Sequence, residues 1–193
     1  MTALAVIVGL VIAVYGQSLW HPFHFDDFAI FADPVLTSPD GWWRVFRLDQ
    51  TRPLTYFTFW FNYRLGETSP AGYHAVNVVL HLAAVLAAYA VFRRLTDSRA
   101  ALAAAALFAL HPLQSEAVCY IFARATILAT LFCLLSWRQW LAGRHWCAVG
   151  LFALALLAKE EAVSFPVFLW LVTRPQPRSW RPGVQTVRLP ARR

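Results

Sequence analysis

The chain has 193 residues, of which 59% are hydrophobic and 14% charged, with a formal net charge of +7 and a mean hydropathy of +0.50. Soluble domains carry about 25% charged residues, so the composition excludes an ordinary soluble fold. The basic residues lie in short loops and a tail, the pattern of membrane topology, which excludes a nucleic-acid surface. The apolar residues come in runs without strand-like alternation, which points to helices instead of a β-barrel.

Six apolar segments follow one another, at about 2–20, 72–92, 100–110, 117–137, 146–158 and 162–172. The first, second and fourth reach the roughly 20 residues that a helix needs to cross a bilayer. The third, fifth and sixth are shorter and need polar flanks drawn into the membrane zone. The first has no basic leader and no small-residue cleavage site before Trp20, so it reads as a retained helix. The expected fold is therefore all-α, a polytopic membrane protein with about six transmembrane segments. Residues 1–173 would form the membrane domain and 174–193 a basic, Pro-rich cytoplasmic tail.

Charge sets the expected orientation. Arg93, Arg94 and Arg99, then Arg138 and Arg144, then Arg174, Arg178, Arg181, Arg188, Arg192 and Arg193 fall on one side if there are six crossings with both termini cytoplasmic. The other side receives the loop 20–71, the turn His111–Glu116, and Lys159-Glu160-Glu161. One lysine against sixteen arginines, with abundant alanine, suggests a GC-rich genome and hence a bacterial inner membrane. In the long loop, Asp33-Pro34 and Ser38-Pro39-Asp40-Gly41 read as turns. The aromatic runs 42–46 and 55–63 read as short interfacial helices, with Ser38 or Asp40 capping one and Pro53 beginning another.

Polar residues in this setting are the candidate functional groups. Asp26 and Asp27 stand together among aromatic residues at the mouth of the first helix, serving chemistry, ion binding or local structure. His21, His24 and Asp26 have the chemical types of a divalent-cation site, but one His-x-x-His is weak support, and no metal site is assigned. His74, Asn77 and His81 share one helical face, either for interhelical hydrogen bonds or, at His74, for substrate. Glu116 and Arg124 lie eight residues apart, nearly on one face of a continuous helix, so Glu116, Asp26 or an anionic ligand should compensate Arg124. Lys159, Glu160 and Glu161 read either as a solvated turn without function or as a site where Lys159 reaches a lipid phosphate while Glu160 or Glu161 pairs with it. Cys119, Cys133 and Cys147 read as small buried hydrophobes.

Phe25-Asp26-Asp27, Arg52-Pro53-Leu54-Thr55, Tyr73-His74-Ala75-Val76-Asn77 with His81, Phe108 to Val118, Arg124 and Ala158 to Val163 occur in an order and spacing that resembles a known family. Over residues 1–173 the chain resembles the N-terminal membrane part of the transmembrane and tetratricopeptide-repeat O-mannosyltransferases, within the polytopic GT-C glycosyltransferases. The resemblance implies transfer of a sugar from a polyprenyl-phosphate-linked donor to a protein hydroxyl or a glycan. It makes Asp26 and Asp27 the catalytic pair, one as general base and the other orienting the acceptor or a cation. His24, Arg52, His74, His111, Glu116, Arg124, Lys159 and Glu160 become the substrate-binding set. The further helices and repeats of relatives have no counterpart here, which implies a truncated or split enzyme and a C-terminal partner subunit. The alternatives are a non-catalytic scaffold that binds lipid-linked sugar and, third, a small transporter, for which paired internal repeats are missing.

Overall fold

The computed structural model describes residues 2–47 and 51–173, and every regular element among them is helical. Asp49 and the basic tail 174–193 lie outside the described residues. Helix α1 (Thr2–Tyr15) ends in a 3-10 turn, Gly16–Trp20. The first loop then holds a 3-10 turn at Phe25–Phe28 and three one-turn helices, α2 (Ala29–Ala32), α3 (Pro34–Thr37) and α4 (Gly41–Arg44). It closes with the longer α5 (Pro53–Gly66). The bundle continues with α6 (Pro70–Leu95), α7 (Ser98–Leu110), α8 (Gln114–Cys119) and α9 (Arg124–Leu141). It ends with α10 (His145–Ala158), a 3-10 turn at Glu160–Ser164, and α11 (Phe165–Thr173).

Three helical stretches are long and apolar enough to cross a membrane: Ala3–Trp20, Pro70–Leu95 and Ile121–Leu141. They fall in the three segments that sequence length singled out. The chain is a helical membrane protein. Large apolar side chains such as Val6, Ile12, Val79, Leu107 and Val149 point outward from α1, α6, α7 and α10, as lipid-facing residues do. Cys147 belongs to this exposed surface, while Cys119 and Cys133 are partly buried, so the expectation of three buried thiols does not hold.

Helix α6 is the central element, packed against α7, α9 and the end of α1. Ala101, Ala105 and Ala109 recur every four residues on α7 and are fully buried, and small side chains let helix backbones approach closely. Buried hydrogen bonds cross between helices, and two of them involve the α6–α7 and α9–α10 pairs. The His81 ring Nε2 donates to the Ala109 carbonyl at 3.0 Å, and the Ser136 hydroxyl donates to the Ala148 carbonyl at 2.8 Å. With few polar groups nearby, each such bond also fixes the relative depth of its two helices.

The fourth apolar segment differs from its expected form. It is not one helix, because α8 stops at Cys119 and Tyr120 is extended (φ −98°, ψ 114°) before a short 3-10 turn, Ile121–Ala123, leads into α9. The break leaves backbone groups that need partners. Asn77 Nδ2 donates to the carbonyls of Val118 and Tyr120, at 3.3 and 3.4 Å.

In the loop, Ser38–Gly41 forms the expected turn, the Gly41 N–H donating to the Ser38 carbonyl at 3.2 Å, whereas Asp33-Pro34 opens a short helix. Asp33 caps α3, its carboxylate accepting from the Val35 N–H at 2.8 Å with Pro34 in the first turn. Asp40 holds the cap position of α4 without a side-chain hydrogen bond, and Ser38 bonds back to the Val35 carbonyl. Pro53 does begin α5. The loop packs tightly where the Trp60 indole donates to the Ser38 carbonyl at 2.8 Å. A Cβ on Gly41 would lie 2.0 Å from the Val35 carbonyl oxygen and 2.6 Å from the Trp60 ring. Gly41→Ala should therefore destabilise the protein by about 1–3 kcal/mol through overpacking, read as a lower unfolding temperature in detergent. An unchanged temperature would show that α4 is not held against α5.

Candidate functional site

One end of the bundle gathers most of the polar residues picked out from the sequence, and residues 120–126 are its centre. Asp26 and Asp27 sit in a 3-10 turn, where successive side chains diverge by about 120°, and they have opposite surroundings. Asp27 is buried. Its Oδ2 accepts from the His24 N–H at 2.9 Å, and its Oδ1 accepts from the Phe122 N–H at 2.8 Å. Burial pushes its carboxyl above the usual range, opposed in part by these two backbone donors. Asp27 thus stitches the first loop to the break before α9. Asp26 is exposed, and its Oδ2 accepts from the Tyr120 hydroxyl at 3.1 Å.

At the first residue of α9, Arg124 is fully buried. Its Nε donates to Asn77 Oδ1 at 2.7 Å, Nη1 to Asn62 Oδ1 at 2.6 Å, and Nη2 to the Tyr73 carbonyl at 2.9 Å. Nη1 also reaches the Thr58 carbonyl and hydroxyl, both at 3.3 Å. The guanidinium lies 4.6 Å from the centre of the Phe59 ring and 5.8 Å from that of Tyr73, so aromatic faces complete its surroundings. The partners expected from sequence, Glu116 and Asp26, are not among them. Glu116 is exposed in the first turn of α8, and the helix break removes the common face that its spacing suggested.

A second set of contacts closes the end of the bundle between α5 and α10. The Thr55 hydroxyl donates to the Ala158 carbonyl at 2.9 Å. Arg52 meets Glu160 with two bonds, Nε to Oε2 at 2.8 Å and Nη2 to Oε1 at 2.5 Å. That hydrogen bond holds the Glu160 carboxyl down at about 2. Lys159 pairs with Glu161 at 2.9 Å and donates to the Thr126 hydroxyl at 3.1 Å. Arg52 adopts a left-handed backbone (φ 52°), uncommon outside glycine, which turns the chain into α5.

The remaining candidates are dispersed. His74 is buried with no hydrogen bond to either ring nitrogen, and its ring meets the exposed His21 edge-on at 6.2 Å between centres. Asn77 and His81, on the same face, serve interhelical bonds instead. His111 Nδ1 accepts from the Leu113 N–H within its own turn, and the exposed His24 contributes its backbone N–H to Asp27. Among the described residues no group of three or more His, Cys, Asp or Glu side chains is placed to hold a metal ion, so His21, His24 and Asp26 are not gathered into a cation site.

Sequence reasoning missed Tyr120, Thr55, Thr58 and Asn62. A signal for three of them was present: Thr55, Thr58 and Asn62 stand at i, i+3 and i+7, the same spacing as His74, Asn77 and His81. Nothing in the local sequence marks Tyr120, because its role depends on the helix break.

Two outcomes test this geometry. Arg124→Ala leaves the oxygens of Asn62, Asn77 and Tyr73 without their donor, so stability should fall by about 3–5 kcal/mol in detergent unfolding; wild-type stability would mean that the network carries none. A carboxylate whose value is lowered in the folded state adds stability above its unfolded value, lost as pH falls through the folded one. Glu160→Gln should therefore lower the unfolding temperature near neutral pH, with the difference from wild type shrinking below the ordinary 4.5 toward about 2. A difference independent of pH would remove the Arg52–Glu160 pair from the stability of the mouth.

A family profile described as dolichyl-phosphate-mannose-protein mannosyltransferase matches residues 49–186. The Caenorhabditis elegans protein O-mannosyl-transferase F38B6.6 is 36% identical over 149 residues, covering 68% of this chain and 22% of that protein. Human protein O-mannosyl-transferase TMTC3 is 29% identical over 83% of this chain and 20% of its own length. Drosophila melanogaster Tmtc1 is 40% identical over 58% of this chain and 14% of its own. The chain thus spans about a fifth of the length of the curated relatives it matches. No solved structure matches it. On the family match and these identities, the chain belongs to the transmembrane and tetratricopeptide-repeat protein O-mannosyltransferase family.

Proposed function

We propose that this chain carries the acidic mouth of a glycosyltransferase that moves a sugar, mannose in the first instance, from a polyprenyl-phosphate-linked donor to a hydroxyl of a protein or glycan. The observation that carries the reading is the division between Asp26 and Asp27: one carboxylate is open to an acceptor, and its neighbour is anchored behind it. In this reading Asp26 takes the proton of the acceptor hydroxyl. The oxygen then forms its bond to the anomeric carbon while the bond from that carbon to phosphate breaks, its electron pair leaving with the phosphate. Attack opposite the leaving group inverts the anomeric centre.

The departing phosphate needs cationic support. Lys159 and Arg52 are the best placed, since each is paired with a mostly exposed carboxylate, Glu161 or Glu160, that a phosphate can replace. His74 and His111 are secondary, as neutral donors. Arg124, held by neutral oxygens on every side, supports the site from behind, and Glu116 stands apart from it. A divalent cation at Asp26 would be a co-reactant brought with the donor. The mouth faces the extracytoplasmic side with both termini cytoplasmic, as the arginine clusters favour. Composition favours a bacterial inner membrane, although the relatives reported above are animal proteins. Because the chain matches a fifth of those relatives, we assign much of the donor groove to a C-terminal partner segment or subunit.

A scaffold that binds lipid-linked sugar without turnover is the second reading, favoured by the internal satisfaction of Arg124 and Asp27. Transfer from polyprenyl-phosphate mannose in membranes separates the two. Asp26→Asn at equal abundance should lower transfer by about 100-fold or more, whereas Asp27→Asn should lower both transfer and unfolding temperature. Wild-type transfer by Asp26→Asn would overturn the base assignment. No transfer by folded wild type, alone or with the C-terminal segment of a relative, would favour the scaffold.

A further inference from the structure

Tyr120 is 94 residues from Asp26 in sequence, yet its hydroxyl makes two hydrogen bonds to it. It donates to Asp26 Oδ2 at 3.1 Å and accepts from the Asp26 N–H at 3.2 Å. One hydroxyl has one proton and two lone pairs, so both bonds form at once. Together they close a ring through the backbone and side chain of Asp26, fixing the direction of the carboxylate.

Two local features exist on either side of this clasp, and both are unfavourable on their own. Phe25 has a left-handed backbone (φ 44°), strained for an aromatic residue, while the residue is 88% exposed and gains little from burial. That turn directs the Asp26 N–H and carboxylate toward Tyr120 and sends the next residue, Asp27, inward. On the other side, the apolar segment stops being helical at Tyr120. The extended backbone there is held by Asn77, which donates to the Tyr120 carbonyl at 3.4 Å, and by Asp27, which accepts from the Phe122 N–H. A continuous helix would leave neither the Phe122 N–H free nor the Tyr120 side chain across the mouth.

We propose that Tyr120 is a positioning residue for Asp26. By occupying Oδ2 it leaves Oδ1 as the oxygen that receives the acceptor proton, and it holds that oxygen at one angle to the incoming hydroxyl. The inference rests on the assignment of Asp26 as the base and adds the residue that aims it. Tyr120 itself exchanges no proton with substrate in this arrangement: the acceptor proton ends on Asp26 Oδ1, and the Tyr120 proton stays between the two oxygens.

The test is Tyr120→Phe, which keeps the ring and removes both bonds, compared with wild type and Asp26→Asn in the full chain. Misaiming a base slows the chemical step without changing donor binding, so kcat should fall about tenfold or more while the donor KM stays within about twofold. The unfolding temperature should stay close to that of wild type, because the bonds lie at the surface. Wild-type kcat for Tyr120→Phe, with Asp26→Asn inactive, would overturn the positioning role and leave the base assignment standing. An active Asp26→Asn would overturn both. A second measurement needs no turnover: labelling of Asp26 by a water-soluble carbodiimide, located by mass spectrometry. Freed Oδ2 should make Asp26 react severalfold faster in Tyr120→Phe, and equal rates would show that the clasp does not form in the membrane.

Discussion

A buried guanidinium governs this structure. Arg124 cannot lose its proton easily, and an ion of its size taken out of water without partners costs several kcal/mol even after relaxation. The fold answers with oxygens from two helices: Asn77 and the Tyr73 carbonyl from α6, and Asn62 with Thr58 from α5. α5 belongs to the first loop, so satisfying Arg124 requires that loop to fold back over the end of the bundle. Glu160 and Ala158 then receive Arg52 and Thr55 from the same helix start. The charge inside the protein thereby determines where the loop sits, and the loop carries the acidic pair.

The helix break before α9 is the complement of this arrangement. Unpaired backbone groups near a membrane are expensive, so an interruption in a spanning helix persists only where side chains serve the freed groups. Here Asn77 serves two carbonyls and Arg124 at once, and Asp27 serves the Phe122 N–H. The groups that stabilise the break are those that build the mouth. Replacing Asn77 or Asp27 disturbs both together, which is why loss of transfer in such variants carries information only beside a measure of folding.

Most of the architecture was legible in the residues. The long apolar runs gave the three spanning helices, and Pro53 marks the start of α5 through its fixed backbone angle. The acidic pair was visible because two carboxylates among aromatic residues are unusual. What escaped was long-range. The run 117–137 has the composition of one helix, and no local propensity in Tyr120 foretells its extended backbone; Asn77 and Asp27, 43 and 93 residues away, decide it. The surroundings of Arg124 were misread for the same reason, since the spacing to Glu116 has meaning only on an unbroken helix. Thr55, Thr58 and Asn62 were hidden among aromatics that suggested a lipid interface, although their periodicity matched that of the stripe whose Asn77 meets Thr58 and Asn62 at Arg124.

Asp26 and Asp27 show how identical side chains at adjacent positions acquire different chemistry. A 3-10 turn separates neighbours by about 120°, so one can face inward while the other faces out. The inward carboxylate meets two backbone N–H groups, one on each oxygen, and its burial keeps it from the surface where an acceptor would arrive. The outward one meets a single hydroxyl that holds one oxygen and leaves the other open. Exchanging the two roles would require exchanging the donors, and these are fixed by the helix break and the loop turn. The pair is therefore one anchor and one open carboxylate, and the backbone around it decides which is which.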